Sequence, residues 1–116
     1  MHERFLFLAL TLDLSSLKSV RKFVLEVLKI TDKIDVLINN AGIMMIEETI
    51  TQDGNEKQMQ VNHIGHFLLT KLLMPVLEKS APVRIINVSS LAHTWSEYLK
   101  RYTYFSKVIE SASLTF

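Results

Sequence analysis

The sequence predicts an α/β fold in which helices flank a parallel sheet. Three short apolar runs alternate with two segments of helical periodicity, in the order strand, helix, strand, helix, strand. This alternation favours right-handed crossover connections and therefore parallel strands. The 116 residues are 48% hydrophobic and 22% charged, with a net charge of +1, as is typical of a soluble globular protein. We therefore expect residues 1–116 to form a single domain.

The first strand and the first helix are predicted from residues 5–33. Residues 5–12 are apolar except for Thr11, as expected for a strand of a parallel sheet that is covered on both faces. Asp13 closes this run, and Ser15 or Ser16 could cap the helix that follows. Residues 31–33 are expected to end the helix. Its apolar residues recur at helical spacing: Leu17, Val20, Phe23, Val24, Val27 and Leu28.

The second helix lies between two further predicted strands. Residues 34–38 are expected to form the second strand, and residues 83–88 the third, which ends in Ser89 and Ser90. A helical pattern runs from about residue 55 to residue 79 and contains Pro75, which could kink its last turns. Its expected core contacts are Met59, Phe67, Leu68, Leu72 and Leu73. Residues 91–116 show no clear period, although a last helix could begin at residues 107–114.

The most informative feature is the sequence that follows the second strand, Asn39-Asn40-Ala41-Gly42, which we call the strand-end segment. In an open α/β sheet, ligands bind at the carboxyl ends of the strands. Ala41 and Gly42 carry almost no side chain, so a flat ligand could approach the backbone closely. The two asparagines could bridge this strand to its neighbours. An ordinary strand-to-loop turn is the alternative.

Composition excludes several classes of function. The net charge is close to neutral, and no basic stripe appears in the sequence, so nucleic-acid binding is not predicted. Without cysteine, the chain has no disulfide and no thiolate metal site. His63 and His66 would share one helical face, but no carboxylate accompanies them, so we predict solvated or cleft-lining histidines and no metal site.

The apolar run at residues 5–12 does not have the features of a targeting signal. It is too short to span a bilayer and reaches Asp13 without a small-residue cleavage site. A buried strand fits it better than a signal anchor, so no clear membrane segment is predicted. The expected location is cytoplasmic or peripheral to an intracellular membrane.

Polar residues close all three predicted strands, and an asparagine and a glycine, Asn62 and Gly65, interrupt the long helix although both are unfavourable in a helix interior. In this order and spacing, the sequence resembles the short-chain dehydrogenase/reductase family, and within it the retinol dehydrogenase-like branch. The resemblance covers roughly residues 10–93. It is carried by residues 12–20, 35–42, 61–70 and 80–93. It implies a partial Rossmann-like, doubly wound parallel sheet that binds NAD or NADP.

The resemblance also implies roles for individual residues. Asp13 would hydrogen-bond the adenine end of the cofactor, although it could instead simply cap the first helix. Asn62 would hold a water in the proton relay. Ser90 would hydrogen-bond the substrate oxygen, although it could instead be only a cap at the strand end. The residues that would stabilise the sheet and line the adenosine side are Asn39, Asn40, Ala41 and Gly42. Substrates would be apolar alcohols, aldehydes or ketones, such as retinoids.

Two departures from the family pattern shape the expected function. No glycine precedes Gly42, so the glycine-rich turn that cradles the pyrophosphate is absent from this sequence. The family's Tyr-x-x-x-Lys is not intact, and Tyr104 and Lys107, three residues apart, are its candidates. We therefore expect a fragment or truncated isoform of the oxidoreductase with little or no activity. The alternative is a non-catalytic interaction module that binds a partner through the exposed sheet edge or the surface that the missing strands would cover. The resemblance also implies a homodimer, because the family's helix corresponding to residues 61–73 often packs in a subunit interface.

Overall fold

The computed structural model describes residues 7–95, and their secondary structure confirms the α/β class. The elements are α1 (Leu17–Ile30), β1 (Val36–Asn39), the single turn α2 (Lys57–Met59), a π-helical segment (Gln60–Ile64), α3 (Gly65–Lys79), β2 (Arg84–Asn87) and a 3-10 helix (Leu91–Trp95). None of the helices in this part of the chain is both long enough and apolar enough to cross a membrane.

Strands β1 and β2 pair in parallel, as the strand–helix order predicts. Their register runs from Val36 opposite Arg84 to Asn39 opposite Asn87. Backbone hydrogen bonds extend the ladder at both ends, from the N–H of Arg84 to the oxygen of Asp35 (3.1 Å) and from the N–H of Val88 to the oxygen of Asn39 (3.0 Å). The second and third predicted strands are therefore confirmed to within two residues of their expected bounds.

The first predicted strand is wrong over the residues that the structure describes. Residues 7–12 have no regular secondary structure, and Phe7 is 93% exposed. A strand requires a neighbour that pairs with its N–H and C=O groups, and within residues 7–95 the sheet consists of β1 and β2 alone. The apolar run indicated a tendency to form a strand, but it could not supply the partner.

Helix α1 begins and ends where capping predicts. The hydroxyl oxygen of Ser16 accepts a hydrogen bond from the backbone N–H of Ser19 (3.3 Å), which satisfies one of the unpaired donors of the first turn. The N–H of Thr31 donates to the oxygen of Val27 (3.1 Å) at the other end. Val20 and Val24 are buried, which confirms the predicted apolar face.

The long helical region is confirmed, but two of its expected core residues are exposed. One stripe of buried positions runs at intervals of four: Val61, Gly65, Leu69, Leu73 and Leu77. Met59 and Phe67, which are 40% and 58% exposed, each lie two residues from this stripe. Since two residues turn a helix by about 200°, both side chains lie on the opposite face. Leu73 was predicted correctly, and Leu68 and Leu72 are half-buried.

The described residues divide into two compact units. The first combines residues 7–32 with residues 42–74, and the second combines residues 33–41 with residues 75–95. The buried apolar residues of the first unit are Leu14, Val20, Val24, Val61, Leu69 and Leu73. Those of the second are Val76, Leu77 and Val83.

Ser80 joins the end of α3 to the start of β1 within the second unit. Its hydroxyl donates to the oxygen of Val76 (2.7 Å) and accepts from the backbone N–H of Ile34 (2.9 Å). Ser80 is buried, so both bonds form away from competing water and help to fix where the strand begins.

Candidate functional site

The strand-end segment begins with a buried side chain that ties the two strands together. The amide nitrogen of Asn39 donates to the side-chain oxygen of Asn87 (2.8 Å), and these two residues are opposite each other in the register. Asn39 is only 6% exposed. This confirms the expectation that an asparagine at the end of β1 bridges to the neighbouring strand. The next two residues, Asn40 and Ala41, are exposed.

Gly42 ends the strand-end segment, and the fold leaves room for a side chain there. A Cβ at this position would lie 3.4 Å from Oδ1 of Asn62, which is an ordinary contact distance, and Gly42 does not have a positive φ. The protein's own packing therefore does not require a glycine at position 42. Its missing side chain is instead consistent with close approach of a ligand to the exposed backbone.

Asn62 holds the residue that follows Gly42. The backbone N–H of Ile43 donates to Oδ1 of Asn62 (2.8 Å), and Nδ2 of Asn62 donates to the carbonyl oxygen of Ile43 (2.8 Å). We call this pair of bonds the Asn62 clamp. Two bonds to the same backbone residue fix the direction of the chain after the strand-end segment. Two residues further on, Met45 has a φ of 55°, a left-handed conformation that is uncommon for a side chain of this size.

The backbone of Asn62 lies in the π-helical segment, as the helix interruption in the sequence suggested. π-helical turns are rare and occur frequently at functional sites. The carbonyl oxygen of Asn62 contacts Nδ1 of the buried His66 (3.2 Å). A carbonyl oxygen has two lone pairs, so it can accept a second hydrogen bond from a water. The side chain makes one donor and one acceptor bond, both to Ile43.

Asp13 lies just before α1, where one carboxylate oxygen organises the turn. Oδ1 accepts hydrogen bonds from the hydroxyl (2.7 Å) and the backbone N–H (2.8 Å) of Ser15. These two bonds hold the pKa of Asp13 below its ordinary value, and the bond from the hydroxyl has the larger effect. The positive charge of Lys57 lowers the pKa by a smaller amount. Asp13 does not cap α1, because Ser16 does. Oδ2 accepts no hydrogen bond from the residues that the structure describes, so it is available to a donor outside them.

Ser90 follows β2 and lies directly before the 3-10 helix. Its hydroxyl oxygen accepts from the backbone N–H of Ala92 (3.2 Å), and its carbonyl oxygen accepts from the N–H of His93 (3.1 Å). The Nδ1 atom of His93 also contacts this carbonyl. Ser90 is therefore a cap, the alternative considered from the sequence. Because its hydroxyl accepts in this bond, its proton remains free to be donated elsewhere.

The other two predicted site residues, Tyr104 and Lys107, lie outside the described residues. Among the described ones, the structure brings Gly42 and Asn62 together, while the hydrogen bonds of Asp13 and Ser90 involve no other predicted site residue. Residues 7–95 contain no group of three histidine or carboxylate side chains that could hold a metal ion.

Sequence reasoning missed Gln60, which is fully buried at the start of the π-helical segment. It also did not predict the contact of His66 with the carbonyl of Asn62. A glutamine between two apolar residues, Met59 and Val61, was the available signal for the first. A histidine four residues after an asparagine was the signal for the second, and each is common in helices without any such role.

Comparison with known proteins gives a consistent family. The profile of the short chain dehydrogenase family matches residues 2–104. Human retinol dehydrogenase 13 is 56% identical over 82 residues, which are 71% of this chain and 25% of the relative. Short-chain dehydrogenase TIC 32 A, chloroplastic, from Brassica napus is 48% identical over 92 residues, which are 75% of this chain and 29% of the relative. The chain thus spans about a quarter of the length of the curated relatives it matches.

Solved structures share the fold. The Pseudomonas aeruginosa RhlG/NADP active-site complex superposes with a TM-score of 0.58 at 34% identity, covering 70% of this chain and 34% of that chain. An alcohol dehydrogenase from Thermococcus sibiricus, complexed with 5-hydroxy-NADP, superposes with a TM-score of 0.52 at 23% identity, covering 65% and 33%. At that identity the second likeness concerns the fold alone.

Proposed function

The chain belongs to the short-chain dehydrogenase family, and we propose that its function is that of an NAD(P)-dependent oxidoreductase, which interconverts alcohols with aldehydes or ketones. The observation that carries the proposal is the exposed, bare backbone at Ala41 and Gly42. The protein's own packing does not require a glycine at position 42, so the missing side chain supports close approach of a ligand. The Asn62 clamp holds this backbone in place from the Ile43 side.

The residues present fit a nicotinamide dinucleotide. Oδ2 of Asp13 is an unused acceptor that suits the amino group of an adenine ring. The strand-end segment offers Asn40, Ala41 and Gly42 as exposed backbone that a planar group could approach. Asn39 is committed to Asn87, so its role is to hold the strand ends in register. The proposal therefore assigns cofactor contacts to Asp13, Asn40, Ala41 and Gly42.

The bound dinucleotide would supply or accept the hydride. Ser90 would donate its hydroxyl proton in a hydrogen bond to the substrate oxygen, where charge develops during reaction. The bond from the N–H of Ala92 to this hydroxyl oxygen supports that role, because the oxygen accepts in it and the proton is left for donation. The main-chain carbonyl of Asn62 would hold a relay water. Tyr104 and Lys107 are the proposed proton donor and its partner.

The proposed substrates are apolar alcohols and carbonyl compounds of the retinoid type, since relatives about 55% identical carry the name retinol dehydrogenase. We propose little turnover by this 116-residue chain alone, because no glycine precedes Gly42 and the pyrophosphate cradle is missing from its sequence. Oxidation of NADPH and NADH with retinal, followed by absorbance, tests this. Turnover near that of human retinol dehydrogenase 13 would contradict it.

Cofactor binding is tested separately from turnover by calorimetric titration with NADPH and NADH. We expect weak, saturable heat with the wild-type chain. The Asp13→Asn variant keeps an oxygen for Ser15 but loses the second acceptor, so its affinity should fall about tenfold. Asp32→Asn, at an exposed position beyond α1, is the matched control and should leave binding unchanged. Equal affinities for the two variants would remove Asp13 from the cofactor contacts.

The exposed face of α3 favours a second candidate function, a non-catalytic module that pairs with a second copy of itself. Phe67 in α3 is 58% exposed, and Met59 at the end of α2 is 40% exposed. Sedimentation equilibrium would show dimers that Phe67→Ser weakens and that Leu25→Ser, at a similarly exposed position on α1, does not. Dimers without any dinucleotide binding would favour this candidate over the oxidoreductase.

A further inference from the structure

Gln60 is a polar side chain that the fold buries completely and whose hydrogen bonds are nearly all made. Its Oε1 accepts from the hydroxyl of Thr51 (2.6 Å) and from the amide of Asn55 (2.9 Å). Its Nε2 donates to Oδ2 of Asp53 (2.8 Å). We call these residues, Thr51, Asp53, Asn55 and Gln60, the Gln60 network. Bonds to a fully buried carboxamide favour one arrangement, because an unmade bond at such a group is costly.

The network is anchored to α1 as well as to the loop. Oδ2 of Asp53, the atom that accepts from Gln60, also accepts from the backbone N–H of Leu17 (2.9 Å), the first residue of α1 and 36 residues away in sequence. A carboxylate at this position suits the positive end of the helix dipole. The start of α1 and the start of the π-helical segment therefore share one acceptor atom.

The π-helical segment is held at both of its ends. At the first, the carbonyl oxygen of Gln60 accepts from the N–H of Gly65, which closes the wide turn. At the second, Gly65 lies so close to Leu14 that a Cβ would be 2.9 Å from its carbonyl oxygen. Asn62 lies between these two points. An isolated α-helix would not widen here, so the position of Asn62 depends on what holds the ends.

We propose that Gln60 is a positioning residue for Asn62: by fixing the start of the π-helical segment, it aims the Asn62 carboxamide at the backbone of Ile43. Its consequence for cofactor binding rests on the proposed function, whereas its effect on the Asn62 clamp does not. The Gln60 network thus connects the start of α1 to the backbone that follows the strand-end segment, through one buried carboxamide and one clamp.

The test measures hydrogen exchange of the Ile43 amide by NMR in the full 116-residue chain, without any cofactor. Gln60→Leu keeps the position buried but removes the network, and we expect the Ile43 amide to exchange about tenfold faster. The amide of Val24, in the buried face of α1, reports general destabilisation and should change much less. Gln58→Leu makes the same chemical change at a side chain outside the network and should leave Ile43 unchanged.

A double-mutant cycle separates positioning from a merely structural role. Asn62→Ala removes the clamp itself and should also speed exchange of Ile43. If Gln60 acts through Asn62, adding Gln60→Leu to Asn62→Ala produces little further change at Ile43. Multiplicative effects of the two substitutions, or equal acceleration at Ile43 and Val24, would overturn the proposal. Should Gln60→Leu fail to fold, Asn55→Ala, which removes only the bond from Asn55 to Oε1 of Gln60, gives the same comparison.

Discussion

Gly42 lies close to Asn62 in the fold, and Gly65 follows it by three residues in the sequence. The protein's packing requires a glycine only at position 65. A Cβ on Gly65 would lie 2.9 Å from the carbonyl oxygen of Leu14, whereas a Cβ on Gly42 would meet only Oδ1 of Asn62 at 3.4 Å. Gly65 is a packing glycine. Gly42 has no such reason within the described residues, which supports the proposal that a ligand approaches its backbone.

The same contrast extends to the polar residues of the two regions. Around the π-helical segment, Gln60 is buried and bonded to three side chains of its own network. In the strand-end segment, Asn39 is buried and bonded, but Asn40 is exposed. Residues that stabilise the fold can thus be separated from those left available for function, one position at a time.

The largest expected effect is that of Gly65→Ala. The added Cβ clashes with backbone atoms of Leu14 and Gln60, so α1 or the π-helical segment must shift, and we expect a loss of about 2–3 kcal/mol in the free energy of unfolding. Gly42→Ala is the matched control and should stay within about 0.5 kcal/mol of wild type. Urea denaturation measures both. Equal losses would erase the distinction between the two glycines.

A second prediction compares Asn39 with Asn40. Asn39→Ala removes a buried hydrogen bond to Asn87 and should lower the free energy of unfolding by about 1–2 kcal/mol. Asn40→Ala alters an exposed side chain and should be nearly neutral for stability. The reverse order in a chemical denaturation series would show that the bridge between the strand ends does not hold the sheet.

Asn62→Ala should have a smaller effect on stability. Both clamp bonds involve an exposed side chain, so water can replace them, and we expect a loss of about 1 kcal/mol or less. Resonances of residues 42–45 should nevertheless broaden or shift, because the backbone after the strand-end segment is no longer held. An unchanged spectrum for these residues would mean that the loop keeps its path without the clamp.

The smallest effect concerns pH. The backbone N–H groups of Gln58 and Met59 donate to the carboxylate of Glu56, so its pKa in the folded chain lies below the ordinary value of 4.5. The stabilisation is therefore complete above pH 4.5 and is lost as pH falls through the folded pKa. Glu56→Gln should flatten the dependence of melting temperature on pH between about 6 and 3, whereas the exposed Glu47→Gln should not. Parallel curves for both variants would contradict this.

How far the sequence predicts the structure depends on where each signal resides. Helix α1 was predicted to its ends because the apolar period and the Ser16 cap are local. The bridge from Asn39 was expected because an asparagine side chain at a strand end can both donate and accept hydrogen bonds. The strand prediction for residues 7–12 was wrong because a strand requires a partner that the local pattern cannot provide. The core prediction for Met59 and Phe67 was wrong because the buried stripe of the helix lies on the other face.

The sequence proposes residues for the candidate site but not their contacts. Gly42 is proposed from the strand-end pattern and Asn62 from the family resemblance, and the structure adds that the side chain of Asn62 binds the backbone of Ile43. No local pattern encodes that partner, since it lies 19 residues away in an irregular loop. Gln60 escaped prediction for the same reason, because Thr51, Asp53 and Asn55 approach it only after the loop has folded.

We propose that the strand-end segment is left bare for a dinucleotide, and amide mapping by NMR during an NADPH titration distinguishes this role from an ordinary strand-to-loop turn. Up to millimolar cofactor, we predict saturable chemical-shift changes at Ala41, Gly42 and Asp13, with Gly65 unaffected, and loss of those changes in Gly42→Ala while its unfolding free energy stays at the wild-type value. Shifts that are absent from residues 39–42, or that persist undiminished in the stable Gly42→Ala variant, would contradict the account.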